Sequence, residues 1–330
     1  DAAISRAEFI AIVNRIFDYN SKGIVKFTDI SSTDWYYEDI AKAIKAGYIN
    51  GSPDGTVKPN SPITRQEAAI VMSTAFGFDN QPSNSYLKFQ DASSISSWAA
   101  GYVGKMADLG IIKGYDSGMF RPLNHVTRAE AVSLLDRISG EIYSKQNTSL
   151  SGRKIEGNLV INKPNINLKD LVIEGNLYIS GGIEPNIMEI NNVTVKGNIY
   201  IKGCLLNKIT ISKSAIGGLI VDSPDSDIEI FANGDSTVNR ITVNSSLKLS
   251  ILSGTSVNVI DLMAPSTVNI SEQSKLNVIN ASASAEKSVI YSKAGVTVNT
   301  KANTISVNGK AIGNGTIITQ PFDFEIIDVY

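Results

Sequence analysis

Apolar residues change their spacing about 145 residues into the chain. Before that point they recur at helical intervals: Phe9, Ile12, Val13 and Ile16; Ile40, Ala43, Ile44 and Tyr48; Val103, Met106, Ala107 and Ile111. Three- and four-residue spacing predicts helices with one buried face. Beyond it, short β-branched runs alternate apolar and polar positions, over residues 167–173, 188–195, 208–211, 227–231, 248–252, 267–270 and 288–291. That is a strand pattern. The polar stretch Ser144-Lys145-Gln146-Asn147-Thr148-Ser149 lies between the two regimes and reads as a linker. Two domains are expected, at 1–145 and 151–330.

Each domain repeats itself, in its own way. In the first, Trp35 recurs as Trp98, Gly51 as Gly114, Gly55 as Gly118, Pro59 as Pro122 and Thr64 as Thr127, all 63 residues on. Phe27-Thr28-Asp29 matches Phe89-Gln90-Asp91 at an offset of 62. Every repeat has an Asp/Ser-rich turn, a helix stopped by Gly47 or Gly110, a Gly/Pro loop and a second helix. The second helix opens with Thr64-Arg65-Gln66-Glu67 or Thr127-Arg128-Ala129-Glu130. An N-terminal half repeat over 1–20 opens its helix with Ser5-Arg6-Ala7-Glu8. The full repeats span 27–78 and 89–139.

A Ser or Thr followed three residues later by Glu is a capping box, contributing about 1 kcal/mol. The Arg has no part in that device, and a cation in the first turn opposes the helix dipole. Arg6, Arg65 and Arg128 therefore point to work beyond the cap: contact with a ligand, or an ion pair between repeats. Trp35 and Trp98 read either as sugar platforms or as core anchors. Asp29 and Asp91 are hydroxyl acceptors or turn caps. Gly51 and Gly114 permit close backbone approach or simply form turns.

In the second domain, Gly157-Asn158-Leu159-Val160-Ile161 recurs from Gly175 and Gly197, weakly from Gly217, and loosely from Asn239, Asn258, Asn277 and Thr297. A period near 20 residues built of short strands predicts a parallel β-solenoid. Inward positions are Leu159/Ile161, Leu177/Ile179, Ile199/Ile201 and Leu219/Val221. Asn158, Asn176, Asn198, Asn239, Asn258 and Asn277 fall at equivalent places, as in a stacked amide ladder. Tyr178 and Tyr200 are expected outward on successive rungs, stacked together or offered as a sugar platform. The tail, through Phe322, Phe324, Ile326, Ile327 and Tyr330, either covers the open end of the stack or leads into further chain.

Composition narrows the function. The formal net charge is −2, without the basic surplus of a nucleic-acid binder. No apolar run approaches the ~20 residues of a membrane helix. Cys204 and His125 are the sole residues of their kinds, which excludes a disulfide framework and a Cys/His zinc site. With no His after residue 151, a Ser-His-Asp triad is excluded there too. His125 reads as a loop residue and Cys204 as a small buried apolar one. Neither a metal nor a cofactor is expected. The densest carboxylate group, Asp222, Asp225, Asp227 and Glu229, reads as a solvated turn and strand face, with a weak cation site as the alternative. Paucity of Cys suits an exported bacterial protein. Asp1-Ala2-Ala3 is compatible with signal-peptide cleavage or with an arbitrary cut.

The pattern F-x-D…W…G-(x)3-G-(x)3-P…T-R-x-E resembles the S-layer homology domain, over both full repeats and residues 4–17 of the half repeat. The resemblance implies helical modules in a pseudo-threefold arrangement. It also implies non-covalent attachment to secondary cell wall polysaccharide at the cell surface, with the ligand between neighbouring repeats. That glycan often carries a pyruvate ketal on N-acetylmannosamine. The implied ligand residues are Arg6, Arg65, Arg128, Trp35, Trp98, Asp29, Asp91, Gly51, Gly114, Thr64 and Thr127. Arg meets such a carboxylate with paired charge-assisted hydrogen bonds. This chain departs from the family in lacking the front of the first repeat, in Gln66 where Ala is usual, and in Asp54 against Ser117 before the loop glycine. The second domain resembles a right-handed parallel β-helix. The fold class expected is thus multidomain, α plus all-β, and the protein a non-enzymatic surface protein. Its β-helix would act as a spacer or display surface. A polysaccharide lyase or hydrolase, or an adhesin with a partner on the β-helix, is the alternative.

Overall fold

The computed structural model describes residues 2–78, 82–180, 186–203, 206–224 and 228–319, and the chain divides into compact units at 1–140 and 141–330. Among the described residues of the first unit are five α-helices: α1 (Arg6–Phe17), α2 (Tyr37–Lys45), α3 (Arg65–Ala75), α4 (Ser97–Asp108) and α5 (Arg128–Ser139). Ser5, Thr64 and Thr127 cap α1, α3 and α5, each in a complete capping box with the Glu three residues on. Gly47 and Gly110, at φ 76° and 67°, follow the last turns of α2 and α4 in the left-handed region, where a side chain would be strained.

Three extended residues just before the capped helices close a ring. Ile63 N–H donates to Ile4 O at 3.0 Å, Val126 N–H to Ile63 O at 2.9 Å, and Ile4 N–H to Val126 O at 2.9 Å. The next residues repeat the cycle: Arg6 N–H donates to Ser61 O, Arg65 N–H to Asn124 O and Arg128 N–H to Ala2 O. A pseudo-threefold centre results, with α1 packed on α2 and α3 on α4. Ile4, Ile63 and Val126 are fully buried at it.

The second unit is a parallel solenoid of about eight turns. Columns of aliphatic side chains run along it, three of them as follows. One is Leu159, Leu177, Ile199, Leu219, Ile241, Ile260, Ile279 and Val298, in unbroken strand register. A second is Leu150, Leu168, Ile190, Ile211, Ala232, Ile251 and Ile270. The third is Ile155, Ile173, Val195, Ile216, Val238, Val257 and Leu276. All belong to one continuous core, including every inward position expected from the sequence. Stacking is what buries them, since one rung alone has no partner for its apolar face. The third column falls at the end of a strand on the first two turns and near the start of one on the last four, where the alternation is least marked.

At the C-terminal end the pairing turns antiparallel. Lys310–Ile312 lies against Ile305–Val307, and Ile317–Thr319 against Thr297–Thr300, which covers two otherwise open strand edges. The tail over 320–330 and Cys204, Asp225 and Asp227, on which the sequence raised expectations, lie outside the described residues.

Three expectations are corrected. Residues 144–149 are not a linker: Glu141–Tyr143 already pairs with Leu159–Ile161, and Thr148–Ile155 is a strand of the first turn. The six asparagines are not one ladder. Asn158 Oδ1 accepts from Asn176 N–H at 2.7 Å, and Asn176 Oδ1 from Asn198 N–H at 2.8 Å. Asn198 then pairs with Gly218 and Gly218 with Arg240, so Asn239 stands one residue out of that column. Asn239, Asn258 and Asn277 form a separate amide ladder. Tyr178 and Tyr200 stack at 5.1 Å on the strand face opposite the core column, yet both are buried, so neither is an open sugar platform.

Candidate functional site

Each Arg of the capping boxes reaches the Glu of the next box. Arg6 Nη1 lies 2.7 Å from Glu67, Arg65 Nη1 3.3 Å from Glu130, and Arg128 Nη2 against Glu8. The cycle runs box one to two, two to three and three to one. Six charges in first turns are thus cross-paired between repeats, which offsets the unfavourable placement of the cations on their own helix dipoles.

Two of the arginines also hold a loop. Arg6 Nε donates to Val57 O at 2.7 Å, and Arg65 Nε donates to Phe120 O at 2.9 Å. Those loops are themselves pinned by the candidate acids. Asp29 accepts from Val57 and Lys58 N–H, and Asp91 from Phe120 and Arg121 N–H at 2.7 Å each. Lys58 and Arg121, at φ 54° and 58°, take the left-handed conformation there. The Asp carboxylates therefore act on the loop, and the loop carbonyls on the arginines. Arg128 has no such loop beside it among the described residues. Its side chain is 59% exposed, against 9% for Arg65.

A groove of about 380 Å³ opens between the second and third repeats, lined by Arg65, Lys113, Gly114, Tyr115, Ala129, Glu130, Ser133, Leu134 and Arg137. Arg65 forms its floor, with its guanidinium 4.8 Å from the Tyr115 ring and 5.1 Å from that of Phe120. Nη2 donates to Lys113 O at 3.3 Å. Arg121 covers Tyr115 from its own side at 4.3 Å. Arg137, in the last turn of α5, donates to Ile111 O and ties the helix to the segment before Lys113.

Of the expected site residues, the structure brings Arg65 and Gly114 into this groove. Thr127 caps the helix that forms its wall, as Thr64 caps the equivalent helix below Arg6. A Cβ on Gly51 would meet the Phe27 ring at 2.2 Å, and one on Gly114 would sit 3.1 Å from Phe89. Both glycines are needed for packing, whatever else they contact. Trp35 and Trp98 are 60% and 54% exposed and outside the groove lining, which removes the core-anchor alternative. Gln66, unusual for its position, is buried and bonds Ser96 twice, joining α3 to the start of α4. Glu8 titrates below its ordinary range because Ser5 N–H and Arg128 both stabilise its carboxylate.

Sequence reading missed Lys113, Tyr115, Ser133 and Arg137. The signal was there in negative form. Sixty-three residues earlier stand Asn50, Ser52, Ile70 and Thr74, so these positions are where the repeats disagree.

The geometry defines a class: capped helical repeats that pass ionic and hydrogen-bonded contacts around a threefold centre, with a groove between the second and third. Comparison places it. Residues 26–69 and 88–132 match the S-layer homology domain, so the first unit carries S-layer homology repeats. The surface-layer 125 kDa protein of Lysinibacillus sphaericus is 24% identical over 329 residues, covering 98% of this chain and 25% of that protein. A cellulosome-anchoring protein of Acetivibrio thermocellus is 32% identical over 142 residues, 41% of this chain and 31% of that protein. An amylopullulanase of Thermoanaerobacterium thermosulfurigenes is 36% identical over 137 residues, 40% of this chain and 7% of that protein. The chain thus spans less than a third of each of these relatives.

Among the described residues no helix is long and apolar enough to cross a membrane, and no three His, Cys, Asp or Glu side chains gather as a metal site.

Proposed function

We propose that the first unit anchors this chain non-covalently at a bacterial cell surface by holding secondary cell wall polysaccharide, and that the solenoid is a rigid spacer or display element. The observation that carries the reading is the cation-rich groove between the second and third repeats, built on the cross-paired boxes. Such a cleft suits a sugar bearing a carboxylate, of which a pyruvate ketal on N-acetylmannosamine is one form. Trp35 and Trp98 add exposed ring faces elsewhere on the same unit, suited to sugar rings further along the polymer.

The relatives support a surface role. Two of them carry surface-layer or anchoring names, and the surface-layer protein matches nearly the whole of this chain. The amylopullulanase shares only about the length of the repeat unit, so its name says nothing of the solenoid. The non-enzymatic reading of the solenoid rests instead on the surface-layer protein, whose match extends over it.

A sedimentation assay tests the proposal. Residues 1–330, 1–140 and 141–330 are incubated with wall sacculi before and after acid removal of the wall polymer. Binding by 1–330 and 1–140, lost on removal, supports it. Binding by 141–330 alone, or retention on stripped sacculi, overturns it.

A further inference from the structure

We infer that the groove above Arg65 binds an anion where the equivalent junction at Arg6 does not, and that Lys113 and Arg137 rather than the box arginine meet the ligand's carboxylate. This rests on the wall-glycan reading above and specifies where and how the charge is held.

Arg65 is engaged internally. Its Nε, Nη1 and Nη2 bond Phe120 O, Glu130 Oε1 and Lys113 O, two rings cover its faces, and only 8% of the residue is exposed. A ligand carboxylate would have to displace Glu130 to reach it. Lys113 and Arg137 differ. Both line the same groove, both are exposed, and neither has a carboxylate within ion-pair distance among the described residues. Arg137 reaches Ile111 O and, at 3.4 Å, Ser133 Oγ, both of them uncharged acceptors. Its place in the last turn of α5 is one the helix dipole favours, so local helix stability does not oppose it. Three cations against Glu130 leave this concave surface with a formal surplus of two positive charges. Low-dielectric walls concentrate the field of such a surplus on an incoming anion.

The neighbouring junction lacks the surplus. Its Arg6–Glu67 pair is balanced, and the positions equivalent to Lys113 and Arg137 are Asn50 and Thr74. At the third junction Arg128 pairs with Glu8, and Arg15 stands where Arg137 does. Two repeats of nearly the same fold thus present differently charged junctions, and the difference comes from two residues.

The test exchanges them in the full chain. The probes are solubilised wall polysaccharide and the same polymer after reduction of its carboxyl groups to neutral alcohols. Lys113→Asn with Arg137→Thr should weaken binding of the native polymer by about tenfold or more, and the remainder should ignore both salt and carboxyl reduction. Adding Asn50→Lys and Thr74→Arg to that variant should restore carboxyl-dependent binding at the other junction. The same graft in the parent should raise the ligand bound per chain, which decides the matter even if the first variant folds poorly. If the parent binds and the exchange changes neither affinity, salt dependence nor stoichiometry, this inference falls and the anchoring reading stands. A parent that ignores the polymer overturns both.

Discussion

Arg65 shows how one residue type carries different loads at equivalent positions. It is buried under two rings and bonded to two loop carbonyls, whereas Arg128 makes one ion pair in the open. Removing a partner from a buried, hydrogen-bonded pair costs about 3 kcal/mol, and from an exposed pair under about 1 kcal/mol. Arg65→Ala should therefore lower the denaturant midpoint of the first unit well beyond Arg128→Ala, and equal effects would contradict this account. Acid should act on the same ring. Glu8 titrates below the ordinary 4.5 of a glutamate, so it holds its proton less readily folded than unfolded. The stability it contributes is full above that ordinary value and is lost as pH falls through the lower folded one. Glu8→Gln should flatten the acid limb of a melting-temperature profile of the first unit, and an unaltered limb would exclude Glu8 as a contributor. The first-turn arginines stood out in the sequence as needing a purpose beyond the cap. Which purpose was illegible, because the partners lie 65 and 120 residues away.

Among the elements, the rungs were the more legible. The Gly-Asn starts, the period near 20 and the inward Leu/Ile pairs all appear as read, because stacking puts like residues over like. The third column was legible only at Ile173 and Val195, because elsewhere its residues sit at strand ends, outside the alternating runs. Asn239 was misplaced because the turns differ in length, and a one-residue slip changes the column a side chain joins. The rung-start glycines give a sharp test of stacking. A Cβ at position 197 would lie 2.4 Å from Asn176 Oδ1 and 2.7 Å from Gly175 O, with the rung below unable to yield. At Gly157, on the first turn, nothing lies within 4 Å of the same atom. Gly197→Ala should cost about 1–3 kcal/mol and Gly157→Ala less than about 0.5 kcal/mol, read by urea denaturation. Matching costs would mean that the close contact between rungs does not set the requirement for glycine.

On the scale of the whole molecule, two cores of different construction share one chain. The break in apolar spacing announced them, although the polar residues beyond 143 proved to belong to the first solenoid turn. The helical core is closed around a ring of backbone bonds, while the solenoid core is a linear stack in which each turn leans on its neighbours. Energetic independence of the two units follows if each core is complete in itself. Ile260 tests this, being fully buried in mid-column between Ile241 and Ile279. Ile260→Ala removes methylene groups that the rungs above and below cannot replace, at a cost of about 2–5 kcal/mol. Calorimetry of the full chain should then show one transition moved down and another unmoved, with wall-polymer binding unchanged while the first unit stays folded. A single shared transition, or binding that falls with the solenoid, would mean that anchoring depends on the stack it is proposed to carry, and a passive spacer would no longer describe it.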